Sequence, residues 1–551
     1  MGSKKAINGV SQTHSVLLIV LCRDRFILRD DVVLLQIFSK QKQTIVTLAY
    51  MLSLLTSAQI READAYTIAH EPISSIDLME RASKAFVGWF INHFPDKKQS
   101  ITVYCGTGNN GGDGLAIARM LTDHQYKLLN VRIARFSDKS TADFNQNLER
   151  LRQKSIPFTE IGRDEHLPED SSQIIIDALL GTGLNKPLEG DYKRLVNYIN
   201  DLKRIVVAVD IPTGFFADGE VPPDTAAIKS SLTITFQQPK INFLLPESAP
   251  YIDCLEVLNI GLNEKFIASL HPPYLAVEEK DIRSMLKPRH RFSNKGTYGH
   301  ALIVAGQAET MGAALLSSAG CAYAGAGLTT ACVPQSGLTA LNSYLPEVMA
   351  IVRNGAEQPR IIWETFNVVG VGPGLGKDEM ALALLTDILT NYKKPIVLDA
   401  DALNLLATHR SLWKCVPANS ILTPHMKEFD RLFGEHNNWW QRIQTGIQKA
   451  AEYSVNILLK NDYTIVITPA GKVYFNTTSN AAMASGGMGD VLTGIITSLL
   501  AQKYTSTEAC IIGAYIHGKA GDELALPNRL NVVLPGQLAA RIPATMAKLM
   551  A

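Results

Sequence analysis

The chain has 551 residues, too many for a single hydrophobic core, and its 46% hydrophobic and 19% charged residues are those of a folded protein of two or more globular units. Lys plus Arg (53) and Asp plus Glu (52) leave a formal charge of +1, which excludes an electrostatic footprint for nucleic acid; an anionic ligand must be held by local geometry. Seven cysteines with no C-x-x-C pair argue against a zinc site or a disulfide framework, and for reduced thiols in a cytoplasmic protein. At the start, Ser15–Cys22 is apolar but too short to cross a bilayer, and Arg23-Asp24-Arg25 follows where a signal peptide would need a small-residue cleavage site. Residues 1–50 are therefore expected to be an extension of unknown role, with the working protein starting near Met51 and no membrane partner.

Thr56 and Gln59 form a capping box that opens a helix to about His70, and a second helix is expected over Ile76–His93. Short apolar runs then alternate with helical patterns: Ile101–Cys105, Val131–Phe136, Ile174–Ala178, Ile205–Val209 and Ser231–Phe236. Continuous apolar strands of this kind belong to a parallel sheet covered on both faces, a Rossmann-like three-layer α/β/α domain. The rhythm breaks over 261–290, with a short helix around Glu278–Leu286, so a first domain over 51–270 and a second over 275–551 are expected. Alternation restarts with Ala301–Ala305, Leu328–Val333, Val368–Val371, Ile396–Leu398, Ile421–Leu422 and Ile457–Leu459. A hairpin follows over Tyr463–Thr468 and Lys472–Phe475, then helices over Asp490–Leu500 and Thr507–Leu524.

The chemistry gathers at strand ends. Gly106-Thr107-Gly108-Asn109-Asn110-Gly111-Gly112-Asp113-Gly114 follows one strand and precedes a helix, which in a parallel sheet is the ligand-binding edge. Its glycines permit close backbone approach, and the helix start offers N–H groups to an anion. A tight turn alone would not need two asparagines and an aspartate; their hard oxygens suit a polar ligand together with a cation. Asp177-Ala178-Leu179-Leu180-Gly181-Thr182-Gly183 and Asp210-Ile211-Pro212-Thr213-Gly214 place Asp and Gly at two further strand ends. Either aspartate alone reads as a turn residue; the coincidence of three such ends is harder to assign to turns.

In the second domain, Gly486-Gly487-Met488-Gly489-Asp490 clears side chains from a turn before a helix and sets a carboxylate in its first turn. The free amides form an anion pocket beside a base, an arrangement that serves phosphoryl transfer. The plainer alternative is a capped helix after a flexible loop. Gly372-Pro373-Gly374, Asp399-Ala400-Asp401, Thr423-Pro424-His425 and Lys460 stand at other strand ends, as the lining of a cleft would.

Asn109–Gly114, Asp177–Lys186 and Asp210–Gly214 resemble the NAD(P)H-hydrate epimerase family over roughly residues 51–265. That resemblance implies that Asn109, Asn110, Gly111, Gly112, Asp113, Gly181, Thr182, Gly183, Leu184, Asn185, Lys186, Pro187 and Asp210 contact the hydrated dinucleotide. It implies potassium on Asn110, Asp177 and Thr213, where the family more often has serine at the last position. Asp177 and Lys186 are the nearest candidates for the proton shuttle, although Asp177 is not easily both base and metal ligand, and the assignment stays open. Roughly residues 280–545 resemble the ADP- or ATP-dependent NAD(P)H-hydrate dehydratases, which have a ribokinase-like three-layer α/β/α fold. The implication is that Gly374, His425 and Asp490 lie on the hydrated dinucleotide, with Asp490 the base. Lys460, Asn461, Asp462, Tyr463, Thr464 and Gly489 would lie on the adenine nucleotide, ADP or ATP, with Mg2+ at the same site.

Three segments depart from the dehydratase pattern. Asn461 stands where a glycine is usual, Met426-Lys427 replace Pro-Gly before Glu428, and Met488 replaces a threonine. Both domains in one chain resemble the bifunctional NAD(P)H-hydrate repair enzymes, acting on hydrated NADH and NADPH and expected as homo-oligomers. Two other readings compete: a ribokinase-like vitamin-precursor kinase, which leaves the first domain without a task, and a dinucleotide-binding sensor without turnover, which would have lost Asp490, Asp177 or Asp210.

Overall fold

The computed structural model describes residues 20–22, 51–354 and 358–551, residues 20–22 in backbone only. The expected extension over 1–50 thus lies almost wholly outside the described residues; Val20–Cys22 is a strand antiparallel to Ile252–Leu258. Among the described residues, no helix is long and apolar enough to cross a membrane. Cys105, Cys321, Cys332 and Cys510 are buried free thiols, whereas Cys254 is disulfide-bonded, against the expectation of reduced cysteines throughout.

Seven parallel strands, with the antiparallel Val20–Cys22 at one edge, form the first sheet. From the other edge they run Phe158–Ile161, Leu129–Ala134, Ile101–Cys105, Ile174–Ala178, Ile205–Val209, Ser230–Phe236 and Ile252–Leu258. Their order in the chain is 3-2-1-4-5-6-7, the doubly wound Rossmann order. Alternate side chains of each strand feed two cores. Val103, Ile176 and Val207 pack under the helices Ser75–His93, Asn109–Asp123 and Ala142–Gln153, while Tyr104, Ile175 and Val206 pack under Gly190–Asp201. The sheet order reverses between Ile101–Cys105 and Ile174–Ala178, so the loops after these two strands diverge and leave a crevice. Asn109–Gly114 lies in it.

The second sheet repeats the plan. Met349–Arg353, Leu328–Pro334, His300–Val304, Val368–Val371, Ile396–Leu398, Ile421–Leu422 and Asn456–Leu459 are parallel in the order 3-2-1-4-5-6-7. The expected hairpin follows as Ile465–Ile467 and Val473–Asn476. One face carries Met311–Tyr323, Met488–Ala501 and Ser506–Ala525; the other carries Glu379–Asn391, Ala400–Thr408 and Trp439–Tyr453. Met311–Tyr323 and Met488–Ala501 pack backbone to backbone: a Cβ on Gly494 would stand 2.0 Å from the Ser317 carbonyl oxygen. That contact fixes the helix that bears Asp490.

Two features depart from the expected pattern. Residues 109–114 are not a loop but the first turns of the helix Asn109–Asp123. A Cβ on Gly111 would meet the Gly106 carbonyl oxygen at 1.9 Å, and one on Gly114 would meet Ala178 Cβ at 2.6 Å. Close packing of helix on strand, rather than a mobile turn, therefore demands these glycines. Leu52–Leu54 joins the second sheet, antiparallel to Tyr274–Ala276, before the chain enters the first domain. Ile241, Leu244 and Leu245 of the first domain share the second domain's core, and Glu247 Oε1 accepts from the Trp439 amide at 2.8 Å.

Candidate active sites

In the first domain the helix Asn109–Asp123 begins at Gly108, whose lack of a side chain leaves the first amides uncapped and turned to the crevice. Beneath them Asp177 is fully buried. Its Oδ1 accepts from Thr213 Oγ1 at 2.7 Å and from the Leu179 amide at 3.2 Å, and its Oδ2 accepts from the Thr213 amide at 2.8 Å. Thr213 Oγ1 in turn accepts from the Leu180 amide at 2.9 Å, and Asn110 Nδ2 donates to the Leu180 carbonyl at 3.2 Å. Asn110, Asp177 and Thr213, predicted together as cation ligands, therefore meet around Leu180. Burial pushes the Asp177 carboxyl up to about 6, since only neutral hydrogen-bond donors oppose the desolvation. A buried carboxylate with no cationic side chain beside it, among carbonyl and hydroxyl oxygens, fits a monovalent cation.

Gly181 presses on Asn110, within 3.3 Å of its Cβ for a methyl built there. Thr182, Gly183, Leu184, Asn185, Lys186 and Pro187 continue outward as an irregular loop, and Lys186 is exposed with no ion pair among the described residues. The structure does not bring Lys186 to Asp177. Asp210 stands on the other wall with a left-handed backbone, φ +64°. Its Oδ1 accepts from Lys240 Nζ at 2.7 Å and from the Phe236 amide at 3.0 Å. Asp113 receives one long bond from Ser83 Oγ, at 3.3 Å. Neither Lys240 nor Asp64 is singled out by motif, yet both act electrostatically on this cluster.

In the second domain Gly487, at φ +99°, turns the chain into the helix Met488–Ala501 with no side-chain cap. The uncapped amides face Lys460: a methyl built on Gly489 would lie 3.3 Å from Lys460 Nζ and 4.0 Å from Asp399 Oδ2. Lys460 Nζ donates to Asp399 Oδ1 at 2.8 Å, and Thr493 Oγ1, one turn beyond Asp490, donates to Asp399 Oδ2 at 2.6 Å. Burial alone would lower the Lys460 ammonium, but Asp399 and Glu428, the latter 3.9 Å away, raise it. Asp490 is pushed up to about 7 by burial and by Asp399, against the pull of Lys460. Its carboxyl thus titrates near neutrality, where a general base is most effective.

His425 caps the helix Met426–Phe433. Its Nδ1 accepts from the amides of Lys427 and Glu428, so the ring proton is on Nε2, and Glu428 Oε2 accepts from the His425 amide at 2.9 Å. Retention of Glu428 therefore preserves the cap despite Met426-Lys427. His425 lies beside Lys460 across a parallel bridge. Gly374, at φ +58°, packs on the start of Met311–Tyr323, its carbonyl accepting from Thr310 Oγ1 at 2.7 Å. Asp401 Oδ2 accepts from the Gly376 amide at 2.9 Å and ties that loop to Asp399. Gly374, His425, Lys460, Gly489 and Asp490 are thus held at one sheet edge, bound together by Asp399, Asp401 and Glu428.

The departing Asn461 has a buried Nδ2 without a hydrogen-bond partner among the described residues. Asp462 is exposed and accepts from Ser479 Oγ at 3.0 Å, and Thr464 Oγ1 donates to the Asn461 carbonyl at 3.1 Å. Tyr463 packs partly into the core.

Known proteins share both halves. A model of the YjeF-related protein N-terminus matches residues 75–242, and a model of NAD(P)H-hydrate dehydratase matches residues 301–544. The chain is 33% identical over 516 residues to the bifunctional NAD(P)H-hydrate repair enzyme Nnr of Moorella thermoacetica, covering 90% of this chain and 97% of that protein. The chain belongs to the family of bifunctional NAD(P)H-hydrate repair enzymes. The relative from Coxiella burnetii, of the same name, is 34% identical and covers 86% of this chain and 95% of its own. Among solved structures, an ADP/ATP-dependent NAD(P)H-hydrate dehydratase from Bacillus subtilis, co-crystallised with ATP and Mg2+, superposes with a TM-score of 0.44 at 28% identity, covering 49% of this chain and 97% of that one. In a repair enzyme both crevices have an assigned half: the Rossmann-like domain is the epimerase and the ribokinase-like domain the dehydratase.

Proposed function

We propose that the first domain interconverts the R and S epimers of hydrated NADH and NADPH, and that the second dehydrates the S form to NADH or NADPH while consuming ADP, which leaves as AMP, or ATP. The observation that carries the reading is the placement of Asp490, with a carboxyl that titrates near neutrality, beside the Lys460–Asp399 pair at an uncapped helix start.

Hydroxide is a poor leaving group and phosphate a far better one. Asp490 takes the proton of the ring hydroxyl as its oxygen attacks the terminal phosphorus of the nucleotide. Amides of residues 488–490 and the Lys460 ammonium neutralise the charge on the moving phosphoryl group. The ring C–O bond then breaks with loss of phosphate, and loss of the neighbouring ring proton restores the dihydronicotinamide. His425 and Gly374 orient the dinucleotide, and the buried Asn461 Nδ2 is a donor for the nucleotide.

In the first domain Asn110, Asp177 and Thr213 would hold potassium, which supplies a fixed positive charge beneath the dinucleotide. At the second site Mg2+ would supply further positive charge against the nucleotide phosphates. Among the described residues there is no group of three His, Cys, Asp or Glu side chains suited to hold a metal.

The test supplies hydrated NADH as separated epimers with ADP or ATP and follows the reduced-nicotinamide absorbance. Recovery from the S epimer without the first domain's activity, and from the R epimer only with it, is expected. A stable phosphorylated product with no recovery would overturn the reading.

A further inference from the structure

Half-buried carboxylates with few or no partners are costly, and the first domain keeps two of them. Asp64, on the helix Ser57–His70, forms no hydrogen bond or ion pair among the described residues; Asp113 has only the long bond from Ser83. Both lie within electrostatic reach of Asp210 and of each other. Asp210 differs from them. Its Oδ1 is tied to Lys240, a lysine 1% exposed whose ammonium also donates to the Phe236 carbonyl at 3.2 Å, while Oδ2 makes no hydrogen bond among the described residues. The backbone at Asp210 is left-handed without being glycine, a conformation that costs about 1 kcal/mol or more. Asp64, Asp113 and Asp210 are each partly open to solvent, whereas Lys240 is closed off.

We propose that Asp210, Asp113, Asp64 and Lys240 form the acid–base set of the epimerase, with Asp210 the base through its free Oδ2, Asp113 the acid, Lys240 the residue that positions Asp210, and Asp64 a carboxylate neighbour that tunes Asp113. The proposal rests on the reading of this domain as the epimerase. It replaces the Asp177–Lys186 pair, one member of which is locked in hydrogen bonds with Thr213 while the other is exposed on a loop.

The chemistry needs one proton on each side. In the hydrated ring the hydroxyl-bearing carbon is also bonded to the ring nitrogen. Asp210 Oδ2 takes the hydroxyl proton as the carbon–nitrogen bond breaks; the oxygen becomes a carbonyl, and the nitrogen takes a proton from Asp113. After rotation, the nitrogen lone pair attacks the opposite face of the carbonyl carbon. The nitrogen proton returns to Asp113, and the proton on Asp210 goes to the new alkoxide. No water, electron or co-reactant is consumed.

Lys240 ties down Asp210 Oδ1 and leaves Oδ2 without a hydrogen bond among the described residues. Burial and the carboxylates of Asp210, Asp64 and Asp143 hold the Asp113 proton well above the usual carboxylate range, against the lowering by Ser83. Burial first, and then Asp210, raises Asp64 to about 6, with Lys240 opposing.

The test is Asp64→Asn in the full-length chain, assayed for epimer exchange across pH and, separately, for dehydration of pure S epimer. The rate constant for exchange at saturation should fall about tenfold or more, within the range of general acid catalysis. The alkaline limb of its pH profile should move to lower pH, because Asp113 loses a like-charged neighbour. Dehydration of the S epimer should not change. Exchange within twofold of the unaltered protein, or a fall with the limb unmoved, would overturn the proposal, the latter showing a merely structural role. Lys240→Met, which unties Asp210 Oδ1, should lower the rate constant for exchange at saturation about tenfold or more, with Lys240→Arg restoring most of it; undiminished exchange in Lys240→Met, or no rescue by Lys240→Arg, would count equally against the assignment. An unaltered protein that does not exchange epimers at all would defeat the epimerase reading itself, a result distinct from either.

Discussion

Lys460 and Asp399 are joined by a 2.8 Å ion pair in which the carboxylate is 1% exposed, and Thr493 from the Asp490 helix closes the second carboxylate oxygen. This pair links the strand ends after Leu398 and Leu459 to the helix that carries Asp490. Lys460→Met would leave a buried charge uncompensated, at a cost of about 3–5 kcal/mol. Urea denaturation should show the loss, and Lys460→Met with Asp399→Leu should recover much of it while dehydration stays abolished.

Asp490 sets the pH response of the second domain. Its folded carboxyl titrates at about 7 against an ordinary value of 3.8, so the folded state binds this proton more tightly than the unfolded chain. Dehydration should therefore rise as pH passes through 7. Stability from this group is present below about pH 4 and declines as pH climbs toward 7. Asp490→Asn removes that decline: its thermal midpoint should match that of the unaltered protein near pH 4 and exceed it at pH 8.

Potassium should be visible without turnover. Added K+ should raise the thermal midpoint of the protein, and Asp177→Asn should abolish the shift while sparing dehydration of S epimer. Thr213→Val, which deprives a buried carboxylate of a hydrogen-bond donor, should cost about 1–3 kcal/mol and also weaken the K+ response.

Two glycines of the first crevice should behave differently. Gly111→Ala forces a methyl to within 1.9 Å of a backbone oxygen and should destabilise by about 1–3 kcal/mol. A Cβ on Gly183 meets nothing within 4 Å, so Gly183→Ala should stay within about 0.5 kcal/mol and alter only the KM for epimer exchange.

Central strands such as Ile174–Ala178 and Val368–Val371 are buried on both faces and read as unbroken apolar runs, and the Thr56 box marks its helix to the residue. Edge strands escaped. Phe158–Ile161 and Met349–Arg353 expose much of their length, and Leu52–Leu54 acquires its meaning from Tyr274–Ala276, far along the chain. Glycine-rich 109–114 suggests a loop because glycine is a poor helix former; packing against Gly106 and Ala178 outweighs that preference. At the sites, Asp490, Lys460 and His425 are legible from the motifs around them. Asp64 and Lys240 stand in ordinary sequence and gain their chemistry only from folding next to Asp210. Thr493 was within reach of a helical spacing argument, three residues after Asp490 on the same face.

The decisive measurement is return of the reduced-nicotinamide absorbance from S-hydrated NADH with ADP or ATP, comparing the unaltered protein with Asp490→Asn while epimer exchange is followed in parallel. We expect full recovery in the first, recovery reduced by a factor of about 100 or more in the second, and equal epimer exchange in both. Undiminished recovery in Asp490→Asn would contradict the account of the helix start as the phosphoryl-transfer centre.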